Sequence, residues 1–462
     1  LTTLTATGTG TVAVTALEST LAANLSNIAA STTLTAAIST GTGTVTLASG
    51  ANLADAAVTI ANTAGTLNVD AGTLGTASFA VGANATLTGT AAQLTTLTAT
   101  GTGTVAVTAL EGAVTADLSG LTTTAVTADV AAPADISGAN ISTVKVLTFG
   151  SNAITMSSEQ HDALITVDAA NAIDGTGTIT LDTADTTIAA DATVGSYILT
   201  GAGANTITLA AGTQGVKTAI NASNQTVDTS TFTTISGAYV GNTTATDILT
   251  VTTNATNLST ATGLTAGGNW DQINLASGIN ATMSTAQNAL ITTAAGGNIV
   301  TLSDAGTATG AAQVESYVLI GANTFTVGGT SQIVTAASVA VNTIKAAGVL
   351  TSTANYSGNA TDDILSVVDG TNIASATIGA AFDNLTFDAT SVTGTNDVSM
   401  TLAQHNAFNG NVAAAGAGAN GEKITLTTAG TATGLAVVEN YVLTGANTFT
   451  VGGTSQIVTA AS

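Results

Sequence analysis

The feature that most limits how this chain can fold is a cassette, VESYVLIGANTFTVGGTSQIVTAAS at residues 314–338. It returns at residues 438–462 with two letters changed, Ser316 to Asn440 and Ile320 to Thr444. A looser copy, SYILTGAGANTITLAAGTQ, begins at Ser196. Tyr197, Tyr317 and Tyr441 mark the copies, 120 and 124 residues apart. A chain that repeats such a cassette is a repeat array before it is anything else, because each copy must bury its apolar face against neighbours of the same kind. The first region has its own repeat: LTTLTATGTGTVAVTALE at residues 1–18 recurs letter for letter at residues 94–111, a period of 93.

Within that period, TVAVT from Thr11, TVTLA from Thr44, TLNVD from Thr66 and TLTGT from Thr86 alternate Thr with Val, Leu or Ala. Period two is the mark of a strand with one buried face, and Gly or Asn supplies the turn that follows. The pieces recur about every 20 residues, a solenoid spacing. The chain is 45% hydrophobic but only 3% aromatic, so its core must be thin and built from small side chains. These observations predict a mainly β fold. It is an elongated array of β-solenoid-like coils, tandem β-domains, or both, with one short helix per repeat of ~120 residues.

The organisation expected is a Thr/Gly-rich β-repeat region over 1–130, then β repeats at 131–257, 258–380 and 381–462, the last incomplete. The only proline, Pro133, sits at the first boundary. Each later repeat opens on a strand (VLTFG, INLAS or LTFDA) and continues into ITMSSEQHDAL, ATMSTAQNAL or SMTLAQHNAF. There Ser or Thr precedes good helix formers, which predicts one or two capped helical turns. The strands ATDILTV from Ala245 and TDDILSV from Thr361 link one repeat to the next. Tyr317, Leu319 and Phe325 share a parity, as do Tyr441, Leu443 and Phe449, so each set is expected to face one core. Beginning and ending inside repeats, the sequence reads as a slice or processed form of a longer polypeptide.

Charge removes several functions. With 27 acids against four Lys or Arg and a formal net charge of −23, the chain lacks the clustered cations that phosphate backbones and anionic membranes require. It has no cysteine, hence no disulfide or thiolate chemistry. His161 and His405 are the only histidines; beside Asp162 and Asn406 on a short surface helix they read as ordinary polar residues. GTGTV at Gly8 and Gly101 lacks the lysine of a phosphate loop. T-x-T stripes such as TATGTGTVAVT suit a water-ordering face, but threonine on exposed strands is ordinary β-propensity.

An acidic surface with few internal cations invites a divalent ion, and calcium suits oxygen-only ligands. Asp247, Asp362 and Asp363, beside the linking strands, are the candidate metal ligands. The adjacent pair Asp362 and Asp363 is unsuited to acid–base work, because neighbouring strand residues face opposite ways. Asp70, Asp162, Asp174, Asp182, Asp185, Asp228, Asp304 and Asp388 lie near turns, where each singly reads as a turn or cap residue.

Thr/Ala/Gly-rich, lysine-poor, cysteine-free strands such as TLT, TVTLA and ATDILTV resemble large bacterial cell-surface repeat proteins, in particular surface-layer proteins and secreted adhesins of the RTX kind. The resemblance covers the whole chain in composition and repeat style, and no single motif carries it. It implies export, calcium-assisted folding outside the cell, and assembly into a lattice, fibre or stalk. The expectation is a non-enzymatic extracellular structural protein on a bacterial cell surface. Its partner is further copies of itself, with cell-surface polysaccharide as a second partner. The alternative is the stalk of a calcium-dependent adhesin that binds a surface or glycan. A carbohydrate-active β-helix enzyme is opposed by the lack of arginine and of a carboxylate cluster.

Overall fold

The computed structural model describes residues 3–461 apart from 7–9, 18–23, 29–32, 39–42, 48, 50, 54, 167–172, 219–222, 338, 359–361, 383, 389–395, 409–410 and 414–420. Much of the first copy of the 18-residue repeat lies outside the described side chains. The chain divides into two units, Leu1–Gln225 and Thr226–Ser462. The protein is mainly β, with parallel sheets stacked as a β-solenoid.

In the first unit one sheet runs in spatial order through Thr11–Leu17, Thr33–Ile38, Ala57–Ile60, Ser78–Val81 and Thr98–Gly101. A second runs from Thr44–Thr46 through Thr66–Asn68, Thr86–Thr90, Thr104–Thr108, Ala125–Asp129 and Val146–Gly150 to Ile173–Gly175. Strands consecutive in a sheet alternate in sequence with strands of the facing sheet, the signature of a coil that returns to each wall once per turn. Every pairing described is parallel, and most are in register: Thr104 lies against Thr86 and Ala125, Val105 against Leu87 and Val126.

The register explains the composition. Leu67, Leu87, Val105 and Val126 stack one above another and are fully buried, while Thr66, Thr86 and Thr104 beside them are half-exposed. Parallel in-register stacking puts like side chains in line, so β-branched and small residues fill the interior without the alternation of large and small that a sandwich core uses. Of the two arrangements expected, stacked solenoid coils account for the described strands.

The second unit repeats the arrangement. Asn280–Met283, Ile299–Leu302, Ser316–Leu319, Ile333–Ala336 and Asn355–Ser357 follow one another on one wall. Gly306–Thr309, Asn323–Thr326, Thr343–Ala346, Ile364–Val367, Asn384–Phe387 and Val412–Ala413 follow one another on another. Tyr317 lies between Val300 and Val334, and Phe325 between Ala308 and Ile344. Both rings are fully buried, with centroids 4.7 Å apart. The expected shared face therefore holds for Tyr317, Leu319 and Phe325. In the later copy Tyr441 is buried and Leu443 nearly so, but Phe449 is half-buried.

The short helices form where expected, and a fourth precedes them. They are α1 (Ala91–Leu94), α2 (Ser158–Thr166), α3 (Thr285–Asn288) and α4 (Leu402–Ala407). In α3 and α4 the N-cap hydroxyl of Ser284 or Thr401 accepts the N–H of Gln287 or Gln404, whose side chain accepts the N-cap N–H in return. Ser157 and Gln160 make the same reciprocal pair at α2. This capping box is what lets so short a helix persist, since it satisfies two donors that a single turn would leave unpaired.

Candidate functional site

The residues that recur with the cassette converge on a buried polar lock at a solenoid corner. Tyr317 begins as a strand residue whose ring points inward, and its hydroxyl reaches the turn before the strand, where it accepts the Ala311 N–H at 2.7 Å. Tyr197 does the same for Asp191 at 2.8 Å and Tyr441 for Leu435 at 2.9 Å. Burial raises the phenol pKa of all three, and that of Tyr441 rises to about 12, with the Leu435 N–H opposing the shift. The hydroxyls are neutral at any physiological pH.

The two histidines join this lock, which corrects their reading as surface polar residues. His161 is fully buried and His405 is 2% exposed. His161 Nε2 lies 3.1 Å from the Tyr197 hydroxyl, and His405 Nε2 lies 3.2 Å from that of Tyr441. Both rings meet the tyrosine edge-on. The sequence hid this because each pair is separated by 36 residues and only coil stacking brings it together. Nδ1 faces Asp162 in one case and Asn406 in the other. The triplet has the look of a relay, but a buried phenol that already accepts a backbone N–H offers no nucleophile to a substrate.

A second set of residues, unnoticed in the sequence, is the glutamines. Gln332 Nε2 donates to the carbonyls of Ala311 and Val314 in the preceding coil, at 2.7 and 2.9 Å, while its Oε1 accepts the N–H groups of Gly328 and Gly329. Gln214 and Gln456 repeat the clamp on Asp191 and Val194, and on Leu435 and Val438. The helix glutamines clamp likewise: Gln160 holds Ile136 and Ala139, Gln287 holds Leu258 and Ala261, and Gln404 holds Ile373 and Ala376. A corner leaves backbone groups that the ladders cannot pair, and an amide supplies donor and acceptor from one side chain. The signal was present as an unvarying Gln in GTSQ and GTQ, and three residues after each helix cap.

The expected metal ligands do not converge. Asp247 is fully buried, and its carboxylate accepts the Asn242 N–H and amide. Asp363 is fully buried and Asp362 exposed; both precede the strand Ile364–Val367, so the strand alternation expected of them does not apply. Asp363 forms the third rung of an Asx ladder. Asn342 Oδ1 accepts the Asn323 N–H at 3.0 Å, and Asp363 Oδ1 accepts the Asn342 N–H at 2.8 Å. Among the described residues, no three His, Cys, Asp or Glu side chains form a group that could hold a metal ion.

Several turn acids act locally. Asp185 accepts from the backbone N–H and hydroxyl of Thr187, and those bonds lower its pKa. Asp228 accepts from the Ser230 N–H, and Asp70 from the Asn68 amide. Asp304 caps α3 through the Thr285 N–H and hydroxyl, and Asp388 pairs with Lys345 at 3.1 Å. Asp162 meets His161. Asp174 lies in Ile173–Gly175, and one oxygen of Asp182 is buried without a partner.

Among the described residues no helix is long and apolar enough to cross a membrane. No protein-family model, no curated protein and no solved structure matches this chain, so its internal repeats are the relatives against which its geometry is compared.

Proposed function

We propose that this chain is a non-enzymatic structural protein that self-assembles into a surface layer or filament outside a bacterial cell. The observation that carries the reading is how a coil acquires its core. Val334 in Ile333–Ala336 is fully buried between Tyr317 of the preceding coil and Tyr356 of the next, as Phe325 is between Ala308 and Ile344. Parallel, in-register stacking of like coils is a mode of association that strands of further chains can extend.

The chemistry of the interior supports the non-enzymatic part: among the described residues the recurring Tyr, Gln and His side chains are engaged with backbone groups or with one another. Calcium enters the proposal as the counter-ion that lets chains of net charge −23 approach one another. Electron microscopy of purified protein, with calcium and with chelator, tests both parts. A lattice or regular fibre that dissolves in chelator is the expected result. Isolated rods that bind a glycan would replace assembly by the adhesin stalk, and turnover of a polysaccharide would overturn the non-enzymatic reading.

A further inference from the structure

Each helix is followed by a strand that ends its sheet: Thr98–Gly101 after α1, Ile173–Gly175 after α2, Ile291–Ala294 after α3 and Val412–Ala413 after α4. In the second unit the wall then restarts with a new edge strand, Gly306–Thr309 after the first of these breaks and Gly430–Thr433 after the next. A groove of about 450 Å³ lies at the first, lined by Asn288, Ile291, Thr307, Ala308 and Thr309 among others. Its counterpart of about 400 Å³ is lined by His405, Asn406 and residues 431–435.

The hydrogen bonds fix which backbone groups face the first groove. The Gly306 and Gly310 N–H groups turn to the carbonyls of Ala322 and Thr326, on the side of the paired strand Asn323–Thr326. Strand alternation then aims the N–H and C=O of Thr307 and Thr309 at the opposite edge. Asn288 Nδ2 donates to the Thr309 carbonyl at 2.8 Å, as that direction requires. Among the described residues the Thr307 N–H and C=O and the Thr309 N–H have no partner. Asn288 is 2% exposed, and its Oδ1 is buried without a partner. A buried acceptor left unpaired beside an open strand edge is an unfavourable arrangement that an incoming N–H relieves.

We propose that this groove is a docking site for one extended strand of a second copy of the chain, added to the outer edge of Gly306–Thr309. The groove's lining carries no charged side chain and no aromatic ring. An uncharged strand with small side chains fits it, whereas a sugar would lack a ring to stack on. The inner edge shows the sequence class that pairs here: Thr307 lies against Thr324 and Thr309 against Thr326 in parallel register. The groove at Gly430–Thr433 is the weaker site, because His405 stands where Asn288 does and its Nε2 is engaged by Tyr441. The choice of a second copy as the source of the strand rests on the assembly reading.

The test is titration of the full chain with a labelled synthetic peptide, ANTFTV, the sequence of residues 322–327. Saturable binding is expected, weakened at least about tenfold by Thr307→Pro, which removes an N–H used only at the outer edge, where proline is tolerated. Unchanged thermal melting checks the fold of that variant. Asn288→Leu, which removes the orphan acceptor together with the amide that donates to the Thr309 carbonyl, is expected to weaken binding as well. Absence of saturable binding, or equal affinity in wild type and both variants, overturns the proposal. Peptide binding by a protein that forms no lattice or fibre leaves the docking site standing and removes the second copy as its source. Assembly without peptide binding does the reverse.

Discussion

Tyr441 and His405 are joined through a hydroxyl that faces two ways: its oxygen accepts the Leu435 N–H at 2.9 Å and lies 3.2 Å from His405 Nε2. Asn406 Oδ1, an acceptor 3.1 Å from Nδ1, draws the ring proton to Nδ1 and leaves Nε2 to accept the phenol proton. The middle copy reaches the same fold with Asn288 in place of the histidine. Comparison of the copies thus separates what the lock needs, a tyrosine and a glutamine, from what it tolerates.

Protonation of His405 breaks this arrangement, because a cationic ring cannot accept the phenol proton. Burial holds its pKa below the ordinary imidazole value, with Asn406 opposing the shift. A folded value below the unfolded one means stability that is present above about pH 6.5 and is lost as pH falls through the folded value. Thermal melts between pH 7.5 and 5 are expected to show a larger loss for wild type than for His405→Asn. Parallel curves would rule out this residue as a source of acid sensitivity.

Tyr317→Phe keeps the ring and removes only the acceptor of the Ala311 N–H. Leaving that group unpaired is expected to cost about 1–3 kcal/mol. Urea unfolding with an unchanged slope and a lower midpoint would match; an unshifted midpoint would mean that water replaces the hydroxyl.

Gln332→Leu removes both sides of a clamp at once, orphaning the Val314 carbonyl and the Gly328 N–H and leaving the Ala311 carbonyl with only the Val314 N–H. The expected loss is on the order of 3–5 kcal/mol, well above that of the tyrosine variant. Hydrogen exchange localises it: faster exchange confined to residues around the corner is the expected pattern.

Gly310 packs against the aromatic pair. A Cβ placed there would stand 2.8 Å from Phe325 Cζ and 3.1 Å from Tyr317 Cε2, so Gly310→Ala should cost about 1–3 kcal/mol through overpacking. Gly296 has nothing within 4 Å, and Gly296→Ala is its control, expected to be neutral or slightly stabilising. Equal melting temperatures for the two variants would contradict the close packing at Gly310.

The sequence by itself determined the strand segments, their buried face, the capped helices and the cassette as the unit of repetition. These are local properties: Thr–Val alternation sets a face through the strand's period of two, and Ser or Thr three residues before Gln sets a cap. Tertiary structure alone decided the parallel register, the burial of His161 and His405, and the use of the glutamines. Each of these joins residues from separate coils, as Gln332 does with Ala311 and Val314, or His405 with Tyr441. Pairing between coils depends on which corner faces which, and periodicity within one strand carries no record of that. The gap beside Gly306–Thr309 is of the same kind: GTAT reads as an ordinary strand, and only the ending of the previous sheet at Ile291–Ala294 leaves its outer edge open.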